Sequence, residues 1–427
     1  MLLYKIMTFI IYFISLPYTF ISALAGSLKW KQRLGMKHRP PDDKPVDVWL
    51  HASSMGEVKV LGILLNQLRE VDRSLKIYLT VMTDSGYNAA KKLADKDTSV
   101  GFFPMDFAAP IYRFLGSVRP KVAVFIETEI WPGMIETLGH NHIPIFLANG
   151  RLSEKGFGRY RYVRHAMAGI FRNYTHIMVQ KDLDKERFVG IGADPEKIEV
   201  IGNLKFDAPI DIMPSEKKER IRENLPFDPD AKIFIAGSTR NGENEIILDC
   251  YLKMIQEFPN LRLILVPRHL DRIDIISNMA SSRALEFCHY SKMQQNASDC
   301  HVMIVDKIGV LNDLYHVSDA AFVGGTLTKI GGHNILEPVW AGIPVFYGPS
   351  IANVVDSSEY ILARNFGVQV SDGDELCRKV TTFFKGALQF RKKTDISSEP
   401  SRALQTAQII LNSLKSNAKD VAQNNRP

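Results

Sequence analysis

A chain of 427 residues with 45% hydrophobic and 23% charged side chains has globular composition and room for about two domains, which excludes a small module, a disordered chain and a multi-span membrane protein. Its 53 Lys and Arg against 47 Asp and Glu leave a formal charge of +6, too mild to imply nucleic acid without a clustered patch; an anionic substrate or a membrane surface accounts for it equally well. The four cysteines, Cys250, Cys288, Cys300 and Cys377, show no CxxC spacing, so neither a zinc site nor a disulfide framework is expected, which suits a reducing cytosol.

No charge lies between Lys5 and Lys29, and the run IMTFIIYFISLPYTFISALAGSL is long enough for one helix to cross a ~30 Å hydrocarbon core. Pro17 interrupts it, which a bilayer tolerates. Lys29, Lys31, Arg33, Lys37 and Arg39 follow at once, so the positive-inside rule places the rest of the chain in the cytoplasm, and the cluster suits anionic membrane lipids. The expectation is a single-pass anchor over residues 1–28. A cleaved signal peptide and a buried soluble helix are the rival readings.

From Val46 onward, apolar runs alternate with amphipathic stretches: VDVWL, a helix from about Val58, KIYLTVM, a helix near Tyr87 to Ala94, VAVFIE, a helix after Pro132, IPIFLA, HIMVQ, a helix through Lys185 to Ile191, and KIEVIG. This βαβ alternation predicts a parallel sheet. It breaks at a polar, Pro-containing stretch from Phe206 to Asp230, giving a first domain over 29–208 and a second over 209–400. The second series runs KIFIAG, a helix from Glu243 to Phe258, LRLILVP, a helix near Leu270 to Ser281, HVMIV, AAFVGG, a helix after Asn334, and IPVFYG. An amphipathic helix is expected over 401–415 and a disordered tail over 416–427. The fold class is α/β, with two doubly wound Rossmann-like domains.

Ligands of open parallel sheets bind beyond the carboxyl ends of the strands, so residues there carry most weight. HASSMGEV places Glu57 at a helix start after small residues; it either complements the positive helix end or serves as a general base. A helix end lowers a carboxylate pKa, so a base there needs burial or a neighbouring acid. ETEIWPG supplies Glu127 and Glu129 after another strand, and GNLKFD supplies Lys205 at the domain junction. GSTRNGEN, with Ser238 and Arg240, is a strand-to-helix loop suited to anion binding. LILVPRH ends a strand with Pro267 and Arg268, an Arg that could fork onto a phosphate or carboxylate or simply make an ion pair. AAFVGGTLTKIGGHNILEP holds Gly324, Gly325, Gly331 and Gly332 before a helix to be capped by His333 or Asn334. Turns and close packing could explain the glycines; a nucleotide site, with phosphate on amides and ribose hydroxyls on Glu337, explains the whole stretch.

HASSMGEV, ETEIWPGM, NGRLSEKGFGRY, GNLKFD, VPRH and GGHNILEP, in this order and spacing, resemble the 3-deoxy-D-manno-octulosonic acid (Kdo) transferases of lipopolysaccharide synthesis, from the anchor to about residue 355. The resemblance implies a GT-B glycosyltransferase of the cell inner membrane: two Rossmann-like domains facing a cleft, acceptor in the first, donor in the second, and a C-terminal helix returning to the first. It implies CMP-Kdo as donor, a tetra-acylated lipid A precursor as acceptor, inverting transfer, and no metal or other cofactor. Glu57 matches the proton acceptor, and Glu127 and Lys205 the positions that stabilise the transition state. Pro267, Arg268, Ile308, Gly309, Val310, Asn334, Ile335, Leu336 and Glu337 match CMP-binding positions, and Ser238, Arg240, Gly331 and Gly332 belong to the same donor loops. Arg240, Val310 and the GPSIANVV stretch depart from the family pattern. A GT-B enzyme using a UDP-sugar, or a non-catalytic nucleotide-binding relative, is the alternative.

Overall fold

The computed structural model describes residues 17, 19, 21–208, 213–293, 300–392 and 401–424. They form two compact units, one reaching Ala208 and joined by the residues from 401 on, the other spanning 213–392. The first unit holds a seven-stranded parallel sheet of β1 (Val48–Ala52), β2 (Ile77–Val81), β3 (Thr98–Phe102), β4 (Val122–Ile126), β5 (Ile145–Gly150), β6 (His176–Val179) and β7 (Ile198–Val200). Its order is β3-β2-β1-β4-β5-β6-β7. Helices cover both faces, so central strands such as VWLHA and VAVFI are buried at every position and read as continuous apolar runs. The order reverses between β1 and β4, where the outgoing loops diverge and leave a crevice beyond the strand ends.

Residues 1–16, 18 and 20 of the expected anchor lie outside the described residues. Among those described, no helix is long and apolar enough to cross a membrane. The basic segment after it forms the short helix Leu28–Arg33, pinned to the sheet by Arg33 NH2 donating to Met82 O at 2.7 Å and Gln32 Oε1 accepting from Phe102 N at 2.9 Å.

The C-terminal helix runs Arg402–Asn424, past the end at 415 and into the tail read as disordered. SNAKDVAQNN contains no Gly or Pro to break a helix, and its paired asparagines come only at the end. Ala403, Ala407, Ile410 and Leu411, at helical spacing, share a core with Leu61, Leu64, Leu65 and Leu68 of the helix Met55–Val71; burial contributes roughly 1.5–3 kcal/mol for each of the larger side chains. Asp207 fixes the start of this helix, accepting from Ser401 Oγ at 3.0 Å, Ala403 N at 2.7 Å and Arg402 NH1 at 2.9 Å.

The second unit repeats the plan with β8 (Lys232–Thr239), β9 (Leu261–Pro267), β10 (Phe287–His289), β11 (Val302–Ile304), β12 (Ala320–Val323), β13 (Val345–Tyr347) and β14 (Gly367–Gln369). The order is β10-β11-β9-β8-β12-β13-β14, with the reversal between β8 and β12. The helix expected after Asn334 is only Glu337–Trp340, with Pro338 in its first turn; Gly342, at φ 85°, leaves it by a conformation that glycine adopts without strain.

Asp207→Ala removes at once the acceptor of the Ala403 amide and an ion-pair partner of Arg402. We expect it to destabilise the first unit by about 3 kcal/mol, read as a lower urea midpoint, whereas Asp207→Asn loses less because it still accepts from the amide.

Candidate active site

Each carboxylate of the first unit is set by its own turn. After β1 the chain passes through Ser53 into the helix Met55–Val71, whose N-cap is Ser54. Ser54 Oγ accepts from Glu57 N at 3.4 Å, and Glu57 reaches back, Oε2 accepting from Ser53 N at 2.7 Å and Oε1 from Ser54 Oγ at 2.9 Å. This reciprocal capping box holds the carboxylate at the end of β1. These bonds favour ionisation, yet burial outweighs them and, with the charge of Glu129, raises the Glu57 pKa above its ordinary value. The compensation that a base at a helix end needs is thus present.

Glu127 follows β4 at φ 61°, a left-handed conformation costly for a residue with a side chain. Its N–H continues the β4–β5 ladder, donating to Ala148 O at 2.9 Å. Burial and the charge of Glu57 push its pKa up to about 7, against the pull of Arg151 and Lys205. Glu129 goes the other way: burial alone would raise it, but contacts from His51, Ser53 and Trp131 hold it below the ordinary range. Trp131 Nε1 donates to Glu129 Oε2 at 2.8 Å, and His51 Nε2 lies 3.6 Å from the same oxygen, an ion-pair distance too long for a hydrogen bond. The His51 ring is itself fixed, its Nδ1 3.0 Å from Thr80 Oγ1.

Lys205 sits in the 3-10 turn Leu204–Asp207 after β7. Side-chain amides build this turn. Leu204 N donates to Asn149 Oδ1 at 2.9 Å, Lys205 N to Asn203 Oδ1 at 3.0 Å, Asn203 Nδ2 to Gln180 Oε1 at 3.0 Å, and Gln180 Nε2 to Asn149 O at 3.0 Å. Glu57, Glu127 and Lys205 therefore share one electrostatic cluster drawn from β1, β4 and β7. His51 and Arg151 join it without having been singled out, although both lie inside the motifs HASSMGEV and NGRLSEKGFGRY; a bare sequence gives no sign that a histidine within a strand will meet an acid.

In the second unit, Ser238 takes φ 56° where β8 slips register against β9 between Gly237 and Thr239. The residue missed from sequence is Glu243, first in the helix Glu243–Glu257 and fully buried. It accepts from four backbone amides: Arg240 at 2.8 Å, Gly325 at 2.8 Å, Thr326 at 3.0 Å and Leu327 at 2.9 Å. The carboxylate thereby stitches the loop after β8 to the loop after β12, the two sides of the switch point. No side chain fits at Gly324, whose Cβ would lie 2.4 Å from Ser238 O.

Arg240 Nε donates to His333 Nε2 at 2.9 Å and its NH1 to His269 Nε2, so two imidazoles bracket the guanidinium. Burial, then the charges of Arg240, Arg268 and His269, lower the His333 pKa, which keeps it an acceptor. Beside them a cavity of about 270 Å³ is lined by Arg240, Pro267, His269, Arg272 and Thr328 among others; Arg272 Nε and Thr328 Oγ1 are buried without a hydrogen-bond partner. Such donors suit an anion. Arg268 is exposed, its N–H held by Thr239 O at 3.0 Å.

The glycine-rich stretch differs in detail from the sequence reading. Neither His333 nor Asn334 caps a helix; Leu336 does, and four residues are too few to offer the helix terminus expected for phosphate. Asn334 instead orients Glu337, Nδ2 donating to Oε1 at 3.0 Å. Ile335 and Leu336 are core side chains, leaving only their backbone for a ligand. Gly331 and Gly332 have φ 96° and 88°, and Gly331 N donates to Ser350 Oγ at 2.9 Å, so the departing Ser350 braces this loop. Ile308, Gly309 and Val310 lie between β11 and the helix Leu311–His316; among the described residues no hydrogen bond or ion pair joins them to the Arg240 cluster. Also among the described residues, no group of three or more His, Cys, Asp or Glu is disposed to hold a metal ion.

With a folded pKa near 7 against an ordinary 4.5, Glu127 binds a proton more tightly folded than unfolded, so its contribution to stability falls as pH rises between those values. Glu127→Gln is accordingly expected to raise the melting temperature by a few degrees at pH 8.5, and the gain should shrink to nothing by pH 4.5 in paired melts of the two proteins.

The family model described as 3-deoxy-D-manno-octulosonic-acid transferase (kdotransferase) matches residues 28–208. A bifunctional glycosyltransferase/methyltransferase of Fusobacterium nucleatum is 37% identical over 387 residues, covering 88% of this chain but only 59% of its own length. The 3-deoxy-D-manno-octulosonic acid transferase of Haemophilus influenzae is 32% identical over 334 residues, 77% of each chain. In three dimensions, a UDP-GlcNAc 2-epimerase from Neisseria meningitidis matches 87% of this chain and 100% of its own with a TM-score of 0.55 at 11% identity, a likeness of fold alone. With six ordered motifs at the strand ends and a relative matched across most of both chains, this chain belongs to the Kdo transferase family.

Proposed function

We propose that the protein is a GT-B glycosyltransferase that moves Kdo from CMP-Kdo to a hydroxyl of a lipid A precursor, with Glu57 as general base. The observation that carries this reading is the convergence of Glu57, Glu127 and Lys205 at the strand ends of the first sheet, where burial raises the pKa of Glu57 above its ordinary value and that of Glu127 to about 7, the direction that suits a carboxylate for taking a proton. Glu57 removes the acceptor's proton as its oxygen attacks the anomeric carbon. The bond to CMP breaks in the same displacement and its electron pair leaves on the phosphate, which inverts the anomeric centre. Lys205, with Glu127, stabilises the charge that develops.

Donor binding falls to the second unit in this reading. Arg240 and Arg268 meet the phosphate and sugar carboxylate, Glu337 takes the ribose hydroxyls, and the loops Ser238–Arg240 and Gly331–Glu337 enclose CMP, with Pro267 and Ile308–Val310 at its edge. Charge neutralisation is assigned to these side chains, and no metal or cofactor is invoked. The inner membrane is the proposed location, with the catalytic units on the cytoplasmic side. The uncharged run ending at Leu28 supports it, as do the exposed apolar side chains of Ile21 and Leu24 beside the basic cluster.

Glu57→Gln keeps the shape of the side chain and one of its acceptor oxygens but cannot take a proton, so transfer should fall roughly 10²- to 10⁴-fold while CMP affinity stays put and the protein remains folded. Turnover within a few-fold of the parent would move the base elsewhere. For the donor side, Arg268→Ala and Glu337→Ala are each expected to weaken CMP binding roughly ten- to a hundredfold by calorimetry, the loss of one charge-assisted hydrogen bond.

A further inference from the structure

The helices Glu243–Glu257 and Gly373–Phe384 pack so closely that a Cβ on Gly373 would lie 2.3 Å from Ile246 Cγ2. One turn further along each helix stand Cys250 and Cys377, both buried. The Cys377 thiol donates to Cys250 O at 3.6 Å, and both side chains line one cavity. Ion pairs fix the register on either side, Lys253 with Asp374 at 3.3 Å and Lys385 with Glu257 at 2.7 Å. Two cysteines 127 residues apart in the chain are thus held side by side, the sulfur of one against the backbone of the other.

Two surface cavities reach this pair. One of about 290 Å³ is lined by both cysteines with Lys253 and Asp374, and one of about 580 Å³ by Cys377 with Arg378, Lys379 and Lys385. Either admits a molecule of a few atoms. The hydrogen bond from Cys250 and the nearby Lys253 lower the Cys377 pKa to about 7, and Cys250 is pushed up in turn. The Cys377 thiol thus ionises more readily than that of Cys250, the asymmetry that attack and resolution require.

We infer that Cys250 and Cys377 form an oxidisable dithiol, a site where a small peroxide converts two thiols into an intrachain disulfide between these helices. The Cys377 thiolate attacks one oxygen of the peroxide, the O–O bond breaks, and hydroxide leaves to become water, giving Cys377–SOH. The Cys250 sulfur then displaces hydroxide from that sulfur and loses its proton, yielding the disulfide and a second water. Two thiols and one hydrogen peroxide give one disulfide and two waters, with two electrons passing from sulfur to oxygen. Closing so long a loop restricts the unfolded chain, and the brace lies two turns from Glu243, which ties the loops on both sides of the second switch point.

The test uses the intact protein, treated with a small excess of hydrogen peroxide at pH 7.5 and quenched with a thiol-blocking reagent. Expected are a mass loss of two hydrogens, a non-reducing peptide map joining the Cys250 and Cys377 peptides, a melting temperature roughly 5 °C or more higher, and full reversal by dithiothreitol. In Cys250→Ser, Cys377 should instead be trapped as a sulfenic acid by dimedone. A disulfide joining Cys288 to Cys300 only, a bond between two molecules, or four thiols left intact in the parent protein would each overturn the inference; the map of the unmodified protein decides this even if the variant folds poorly.

Discussion

Glu57 and Glu127 are half-buried, with Glu127 in the field of Glu57, and the first unit is organised around making that tolerable. Burial opposes ionisation of both, and repulsion from Glu57 adds to it at Glu127; Glu57 meets its capping donors while Glu127 is left near the protonation midpoint at neutral pH. Arg151 and Lys205 temper the repulsion from one side. His51 and Trp131 draw the third acid, Glu129, away from the competition and keep it ionised. Rigid backbone at three strand ends holds the arrangement: a capping box after β1, a left-handed residue after β4 and an amide-built turn after β7.

The second unit, whose strand order differs on one side of its own switch point, places an acid there with another solution. Glu243 also opens a helix at a switch point, but four amides meet its oxygens, where Glu57 receives one amide and one hydroxyl. Hydrogen bonds to a charged group contribute about 1.5–3 kcal/mol each, so the oxygens of Glu243 are taken up in holding two loops together, whereas Glu57 keeps acceptor capacity for a proton. Two acids at equivalent places in related sheets thus differ in role because their donors differ in number. The charge near Glu243 is complementary to an anion instead: Arg240 stands between two imidazoles, with Arg272 opposite in the same cavity.

Much of this was legible in the sequence. Strands buried on both faces announce themselves as apolar runs, and the alternation with helices gave both parallel sheets. The short strands β3, β10 and β14 went unread because TSVGF, FCH and GVQ mix polar residues or glycine into very few positions. The clipped helix after Asn334 carried its signal in Pro338 and Gly342. Glu57 was readable from Ser-x-x-Glu after a strand, and Glu127 and Lys205 from motif order. Glu129, His51 and Arg151 gain their meaning only from tertiary contacts between strands, as does Glu243, which in sequence looks like any acid at a helix start. The pairing of Cys250 with Cys377 is equally invisible in spacing, since it depends on two distant helices meeting at a glycine.

The measurement that tests the central claim most directly is mass spectrometry of the lipid product formed by the purified protein from a tetra-acylated lipid A precursor, offered CMP-Kdo and, in parallel, UDP-sugars. The account predicts that the acceptor gains one or more Kdo residues with CMP-Kdo alone, and that the gain disappears when Glu57 is replaced by Gln. An acceptor unchanged by CMP-Kdo, or one glycosylated from a UDP-sugar, would contradict it.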